Sequence, residues 1–178
     1  MSRMKVILRT PRLLLREMHQ GDLDFIAEML GDPEVMRFYP KTEDREGAAA
    51  SIQRQIDRYA AHGYGPWLVL RRETGEPLGR VGLLHQMVEG VGEVEVGYMI
   101  HRPYWRQGFA LEAAAACRDY AFSTLGRDRV ISLVRPENLP SQAVARKLGM
   151  SPEKEIMHWE LKHLVFAMPR PDTKAGQH

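Results

Sequence analysis

A change of period between residues 93 and 118 constrains this chain more than any other feature. In Glu93-Val94-Glu95-Val96-Gly97-Tyr98-Met99-Ile100 the alternation puts Glu93, Glu95 and Gly97 on one face of a strand and Val94, Val96 and Tyr98 on the other. From Leu111-Glu112-Ala113-Ala114-Ala115-Ala116-Cys117-Arg118 the residues are strong helix formers without a breaker. A helix therefore runs to Gly126, which accepts the left-handed C-terminal position. A tight turn over residues 101–107 joins the two, and the helix opens at Gly108-Phe109-Ala110.

That junction carries chemistry because the first N–H groups of a helix lack intrahelical partners and sit at the positive end of its dipole. Gly108 and Ala110 present no bulky side chain there and Arg106 adds a charge, so the turn can hold a phosphate or pyrophosphate. The spacing is neither the dinucleotide fingerprint nor a P-loop. A glycine before a helix also has an ordinary packing reading.

The length of 178 residues suits one domain with a proper core, read here as residues 1–178 with a core over 8–168 and a mobile tail over 169–178. With 44% hydrophobic and 27% charged residues the composition is that of a soluble globular chain. A net charge of +2, with Lys and Arg scattered among Asp and Glu, gives no footprint for nucleic acid. The single cysteine, Cys117, cannot form an internal disulfide and fits a reducing, cytoplasmic setting. No apolar run approaches a membrane span, and the first eight residues are too interrupted for a signal peptide.

Along the chain, Leu13-Leu14-Leu15 reads as the first strand, Gly21-Asp22 as the cap of a helix ending at Gly31-Asp32-Pro33, and residues 34–41 as an irregular stretch with exposed aromatics. Thr42-Glu43-Asp44 opens a second helix with its stripe at Ala48, Ala49, Ile52, Ile56, Tyr59 and Ala60. Residues 67–71 and 78–84 are strands of an antiparallel meander that leads through a turn at 89–92 into the central strand. A strand at 129–134, a helix at 141–148 and a hairpin of 155–161 with 164–168 complete an α/β (α+β) fold. The sheet is mixed and mostly antiparallel, of about seven strands flanked by about four helices.

Two stretches carry a resemblance. Residues 95–100 with Tyr104-Trp105-Arg106-Gln107-Gly108-Phe109-Ala110-Leu111-Glu112-Ala113 resemble the acetyl-CoA-binding strand, turn and helix of the GNAT superfamily of N-acyltransferases. More narrowly they resemble its branch of ribosomal-protein-alanine N-terminal acetyltransferases. Asn138 and Ser141, followed by a short helix ending in Leu148-Gly149-Met150, are similar to that branch's second signature, N-x-x-S. The resemblance implies a sheet splayed beside the central strand. It implies that acetyl-CoA pairs its pantetheine arm with the backbone of Met99 and Ile100. The N–H groups of Arg106, Gln107, Gly108, Phe109, Ala110 and Leu111 would take the pyrophosphate. Asn138 would bond the arm and Ser141 would sit near the thioester. Pairing into a homodimer is a further expectation of the branch.

Acyl transfer needs a neutral amine, a polarised carbonyl and a stabilised leaving thiolate. Deprotonating an ε-amine at neutral pH costs about 4 kcal/mol, a chain-terminal α-amine only about 1. Glu95 is the first candidate for the base, directly or through a water, and Glu93 its substitute; either could equally be an ordinary solvent-facing strand residue. Many superfamily members carry a thiolate-protonating tyrosine where this chain has Ala145, which leaves Ser141 as the hydroxyl, although a serine opening a helix also reads as its N-cap. Cys117 reads as helix packing, and the histidines lack metal spacing, His158 and His163 being separated by a hairpin turn. Glu34, Phe38, Tyr39 and His85 are candidates for an acceptor pocket, and His101 could reach substrate or cofactor. Two functions follow. One is an acetyltransferase acting from acetyl-CoA on a protein N-terminus or a small-molecule amine; the other is a non-catalytic acyl-CoA-binding or interaction module on the same fold.

Overall fold

The alternation in the central strand continues through its neighbours and builds one eight-stranded sheet. The computed structural model describes residues 5–172. In chain order the elements are β1 (Val6–Arg9), β2 (Leu13–Arg16), α1 (Leu23–Gly31), α2 (Arg45–His62), β3 (Pro66–Arg71), β4 (Pro77–Val88), β5 (Val91–Ile100), α3 (Phe109–Ser123), β6 (Arg129–Val134), α4 (Leu139–Lys147), β7 (Ser151–His158) and β8 (Leu161–Pro169). The strands lie in the order β1-β2-β3-β4-β5-β6-β8-β7. Every pairing is antiparallel except β5 with β6. A parallel pair needs a crossover, and α3 supplies it.

Strand periodicity divides the apolar residues between two cores. Trp67 and Val69 of β3 pack with α3 and α4, whereas Leu68 and Leu70 pack with α1 and α2. Alanines on α3 let it lie close against β4 and β5, with Ala113, Ala114, Cys117 and Ala121 fully buried. The Cys117 thiol is pushed up by burial and acts as packing.

Several boundaries differ from the sequence reading. The first strand is β1, a half-buried edge strand of four residues whose short run, Val6-Ile7-Leu8, gives little periodic signal. Asp22 does not cap α1 with its side chain. It accepts from the N–H of His19 and forms a two-pronged ion pair with Arg16 at 2.7 and 2.9 Å. The cap of α4 is Asn138, whose Oδ1 accepts from the Ser141 N–H at 3.2 Å, so Ser141 is not the N-cap. Strand β8 extends to Pro169, and the N–H of Arg170 donates to Asp128 O, so the sheet holds the first part of the expected tail. Its last six residues lie outside the described ones.

Both members of the Arg16–Asp22 pair are buried. Burial opposes ionisation of Asp22, but the bonds from Arg16 and His19 outweigh it and hold the carboxyl below its usual 3.8. Because the folded value is depressed, the stabilisation is complete above the unfolded pKa and is lost as pH falls through the folded one. Arg16→Ala leaves a buried carboxylate unpaired and is expected to cost about 3–5 kcal/mol at pH 7 by urea unfolding. The deficit relative to wild type should shrink as Asp22 protonates in acid.

Candidate active site

The site forms where β5 and β6 part. Only Glu95 and Ile131 are paired between these strands. Beyond that point side chains replace the backbone ladder. The Ser132 hydroxyl donates to Val96 O at 2.7 Å, and the Leu133 N–H donates to Glu95 Oε2 at 3.0 Å. Gln86 on β4 donates to the other Glu95 oxygen at 2.9 Å. Glu95 is 9% exposed, not the solvent-facing residue that its alternation allowed. Burial raises its carboxyl above the usual 4.5, against the lowering effect of its Gln86 and Leu133 bonds.

The parting leaves part of β5 with an open edge. His101 N–H donates to Leu78 O, toward β4, whereas Val96 O accepts from β6, so odd-numbered residues aim their backbone groups at β4 and even-numbered ones at the opening. The groups facing the opening therefore belong to Tyr98 and Ile100. The expected role of the Met99 backbone does not fit this register, because its N–H and C=O face β4; Met99 offers its side chain instead. Ile100 O is already taken by Trp105 Nε1 at 2.6 Å, which leaves the Ile100 N–H and both Tyr98 groups.

A cavity of about 600 Å³ runs from α2 through this opening to the start of α4. It brings together Glu95, Met99, Asn138 and Ser141, and adds Phe38 and Tyr39 from the stretch before α2. Those two aromatics are half-buried rather than exposed. The Tyr98 hydroxyl donates to Ser141 O at 2.6 Å and fixes the first turn of α4 against β5. Since Asn138 is the cap, the Ser141 hydroxyl is not committed to that duty.

The turn over residues 101–108, expected to hold an anion, lies apart from this cavity. Arg106 and Gly108 both have positive φ, 61° and 79°, which swings the chain sharply into α3. Phe109 is buried and anchors the turn, while Arg106, Gln107 and Gly108 are exposed and Ala110 and Leu111 half-buried. Arg12 braces it, with its Nε on Glu112 at 2.7 Å, its Nη1 on Gln107 O at 2.9 Å and its guanidinium 4.4 Å over the Phe109 ring. The sequence reading missed this brace because Arg12 is about a hundred residues away along the chain.

Other candidates fall away from the cavity. Glu93 pairs with Arg129 at 3.2 Å, and Arg129 in turn with Glu153, so the substitute base is committed elsewhere. Glu34 and His85 are exposed, and His85 stacks on His62 at 4.8 Å. His101 is buried against Phe25 and Tyr104. His158 and His163 do line the cavity, either side of a hairpin turn formed by Trp159 and Glu160 in left-handed backbone, and among the described residues no group of three metal-ligating side chains forms. Residues that the sequence reading did not single out also line it: Tyr98, Gln86, and Arg54, Arg58 and Arg80. A signal existed for α2, because Ser51, Gln55 and Arg58 interrupt its apolar stripe at helical spacing.

Comparison with known proteins agrees with this geometry. A family model for the acetyltransferase (GNAT) domain matches residues 12–151. The Bacillus subtilis protein YkkB is 34% identical over 163 residues, 91% of this chain and 95% of that one. The crystal structure of an acetyltransferase from Agrobacterium tumefaciens is similar at a TM-score of 0.80 and 28% identity, over 90% of this chain and 92% of that one. The ribosomal-protein-S5-alanine acetyltransferase of Vibrio fischeri is similar at a TM-score of 0.72 and 17% identity, over 94% of this chain and 98% of that one, a likeness of fold alone.

Glu95 is a strut as well as a candidate base, and the two roles separate by substitution. Glu95→Ala strands the Leu133 N–H beside the opening and is expected to cost about 1–3 kcal/mol in chemical unfolding. Glu95→Gln retains an oxygen for that N–H and should cost clearly less.

Proposed function

The chain belongs to the GNAT acetyltransferase family, and we propose that it moves an acetyl group from acetyl-CoA to a primary amine by direct attack within a ternary complex. One observation carries the reading: a buried carboxylate, Glu95, stands at the parting of β5 and β6 in a cavity that also reaches Asn138 and Ser141.

The residues present suit acetyl-CoA. The open edge at Tyr98 and Ile100 offers backbone partners to the amide-bearing pantetheine arm, in the manner of an added strand. The N–H groups of Phe109, Ala110 and Leu111 head a fifteen-residue helix, with Arg106 beside them, and suit a pyrophosphate. When bound, acetyl-CoA supplies an activated thioester carbonyl. Asn138 and Ser141 line the part of the cavity nearest α4, where that carbonyl belongs.

In the reaction the amine nitrogen forms its bond to the carbonyl carbon and the carbon–sulfur bond breaks. Glu95, with both oxygens already accepting bonds, receives the amine proton through a water. Burial makes it a better base than an exposed glutamate, because a raised pKa lies nearer the working pH. The Ser141 hydroxyl is the proton donor for the leaving thiolate, replacing the tyrosine that Ala145 displaces. Acceptors consistent with this scheme are a protein N-terminus, as in the ribosomal-protein branch, and a small-molecule amine.

Thiol release from acetyl-CoA against peptides beginning with Ala, Ser or Met, aminoglycosides, polyamines and amino acids tests the activity. CoA affinity without turnover of any amine would favour the binding module. Activity should rise with pH through a pKa above 4.5, and Glu95→Gln should remove that limb while leaving the acetyl-CoA Kd nearly unchanged. An unaltered profile would place the base elsewhere. Gly108→Glu should abolish acetyl-CoA binding by calorimetry. Gly108→Ala, which shares the backbone strain but adds no charge, should retain most of it.

A further inference from the structure

The cavity is cationic on its α2 side. Lys41, Arg54, Arg58, Arg80 and Arg135 line it against two carboxylates, Glu43 and Glu95. Lys41 has Glu43 at 4.0 Å and Arg135 has Glu137 at 3.4 Å. Among the described residues no carboxylate lies within ion-pair distance of Arg54, Arg58 or Arg80. Glu95 already accepts from Gln86 and Leu133 and gives Arg58 only longer-range attraction.

Two of these guanidiniums, those of Arg58 and Arg80, are held in place, while Arg54 is exposed beside them. Ser51 and Gln55, 1% and 2% exposed, lie one turn apart on α2. Arg80 Nη1 donates to Ser51 Oγ at 2.8 Å, Arg58 Nη1 donates to Gln55 Oε1 at 2.6 Å, and Gln55 Nε2 donates back to Ser51 O at 3.0 Å. Two polar residues buried on a helix stripe thus orient two arginines that lack a counter-ion. Arg54 and Arg58, four apart on one helix, repel each other. Burial lowers the pKa of both Arg58 and Arg80, and Arg54 lowers each further, the mark of crowded positive charge. Such an arrangement costs stability unless an anion completes it.

We propose that the acceptor is a small primary amine carrying a carboxylate or phosphoryl group, with that anion held by Arg58 and Arg80, assisted by Arg54, and the amine directed toward Glu95. The proposal rests on the acetyltransferase reading and narrows its acceptor. Guanidinium forks match planar carboxylates and phosphoryl oxygens. A polycation would meet three like charges here and is excluded by the same electrostatics. The cavity, of ligand size and shared with the acyl end of the donor, suits a small molecule.

The first test measures thiol release with matched pairs, glycine against glycinamide and β-alanine against β-alaninamide, together with 2-aminoethylphosphonate, spermidine and a peptide of acidic second residue. The acids should exceed their amides at least tenfold in kcat/KM, with the gap between carboxylate and phosphonate naming the anion. Arg58→Gln and Arg80→Gln should each collapse the acid-to-amide ratio about tenfold or more, mainly through KM of the amine and not of acetyl-CoA. Equal use of acid and amide, preference for spermidine, or turnover of the peptide alone would overturn the proposal. A second measurement is independent of turnover: inorganic phosphate titrated calorimetrically into the CoA-saturated protein. Binding that weakens about tenfold in Arg80→Gln supports the anion site even if no amine reacts, in which case only the acetyltransferase reading fails. Wild type and variant indistinguishable in phosphate binding would overturn the anion site. Cooperative thermal unfolding of the variants, with a midpoint at or above that of wild type, shows that they fold.

Discussion

The parting of β5 from β6 governs the rest of this molecule. A parallel pair that shares one register position, Glu95 with Ile131, exposes backbone groups that a full ladder would have satisfied. Glu95 and Ser132 close part of that gap with side-chain bonds to Leu133 N–H and Val96 O. The remaining edge, at Tyr98 and Ile100, stays available. A sheet that opened further would lose its core continuity, and one that zipped shut would bury the cavity.

The surrounding elements follow from holding that opening. Helices α1 and α2 cover one face and α3 and α4 the other, each with its own apolar cluster. Tyr98 ties α4 to β5, and Arg12 ties the start of β2 to the first turn of α3. Glu95 joins the structural and chemical roles: the burial that makes it a strut also raises its pKa, and that shift suits the proposed base. The raised value means that the ionised form is disfavoured in the fold, a cost borne where the proposed chemistry needs it.

Much of this was legible in the amino-acid order because it is local. The alternation of residues 93–100 fixed a strand, the alanine-rich run after Gly108 fixed a helix, and Ser141 after Pro140 marked the start of a second one. Local pattern also misassigned roles that depend on which hydrogen bond wins. Ser141 looked like a cap, yet Asn138 captures the N–H. The family resemblance, in turn, implied a backbone role for Met99, yet strand parity turns its polar groups toward β4.

By itself, then, the sequence determined the order of elements after the short edge strand β1, the glycine at the entry to α3 and the family resemblance, since period, helix propensity and turn chemistry act within a few residues. Only the tertiary structure decided that Glu95 is buried while Glu93 is paired with Arg129, and that Arg54, Arg58 and Arg80 meet in one cavity. Burial, ion pairing and like-charge crowding depend on distances between residues far apart in the chain. No local pattern encodes those distances; the packing of α2 with α1, Leu68, Leu70 and Met99, together with the Arg80–Ser51 bond, sets them.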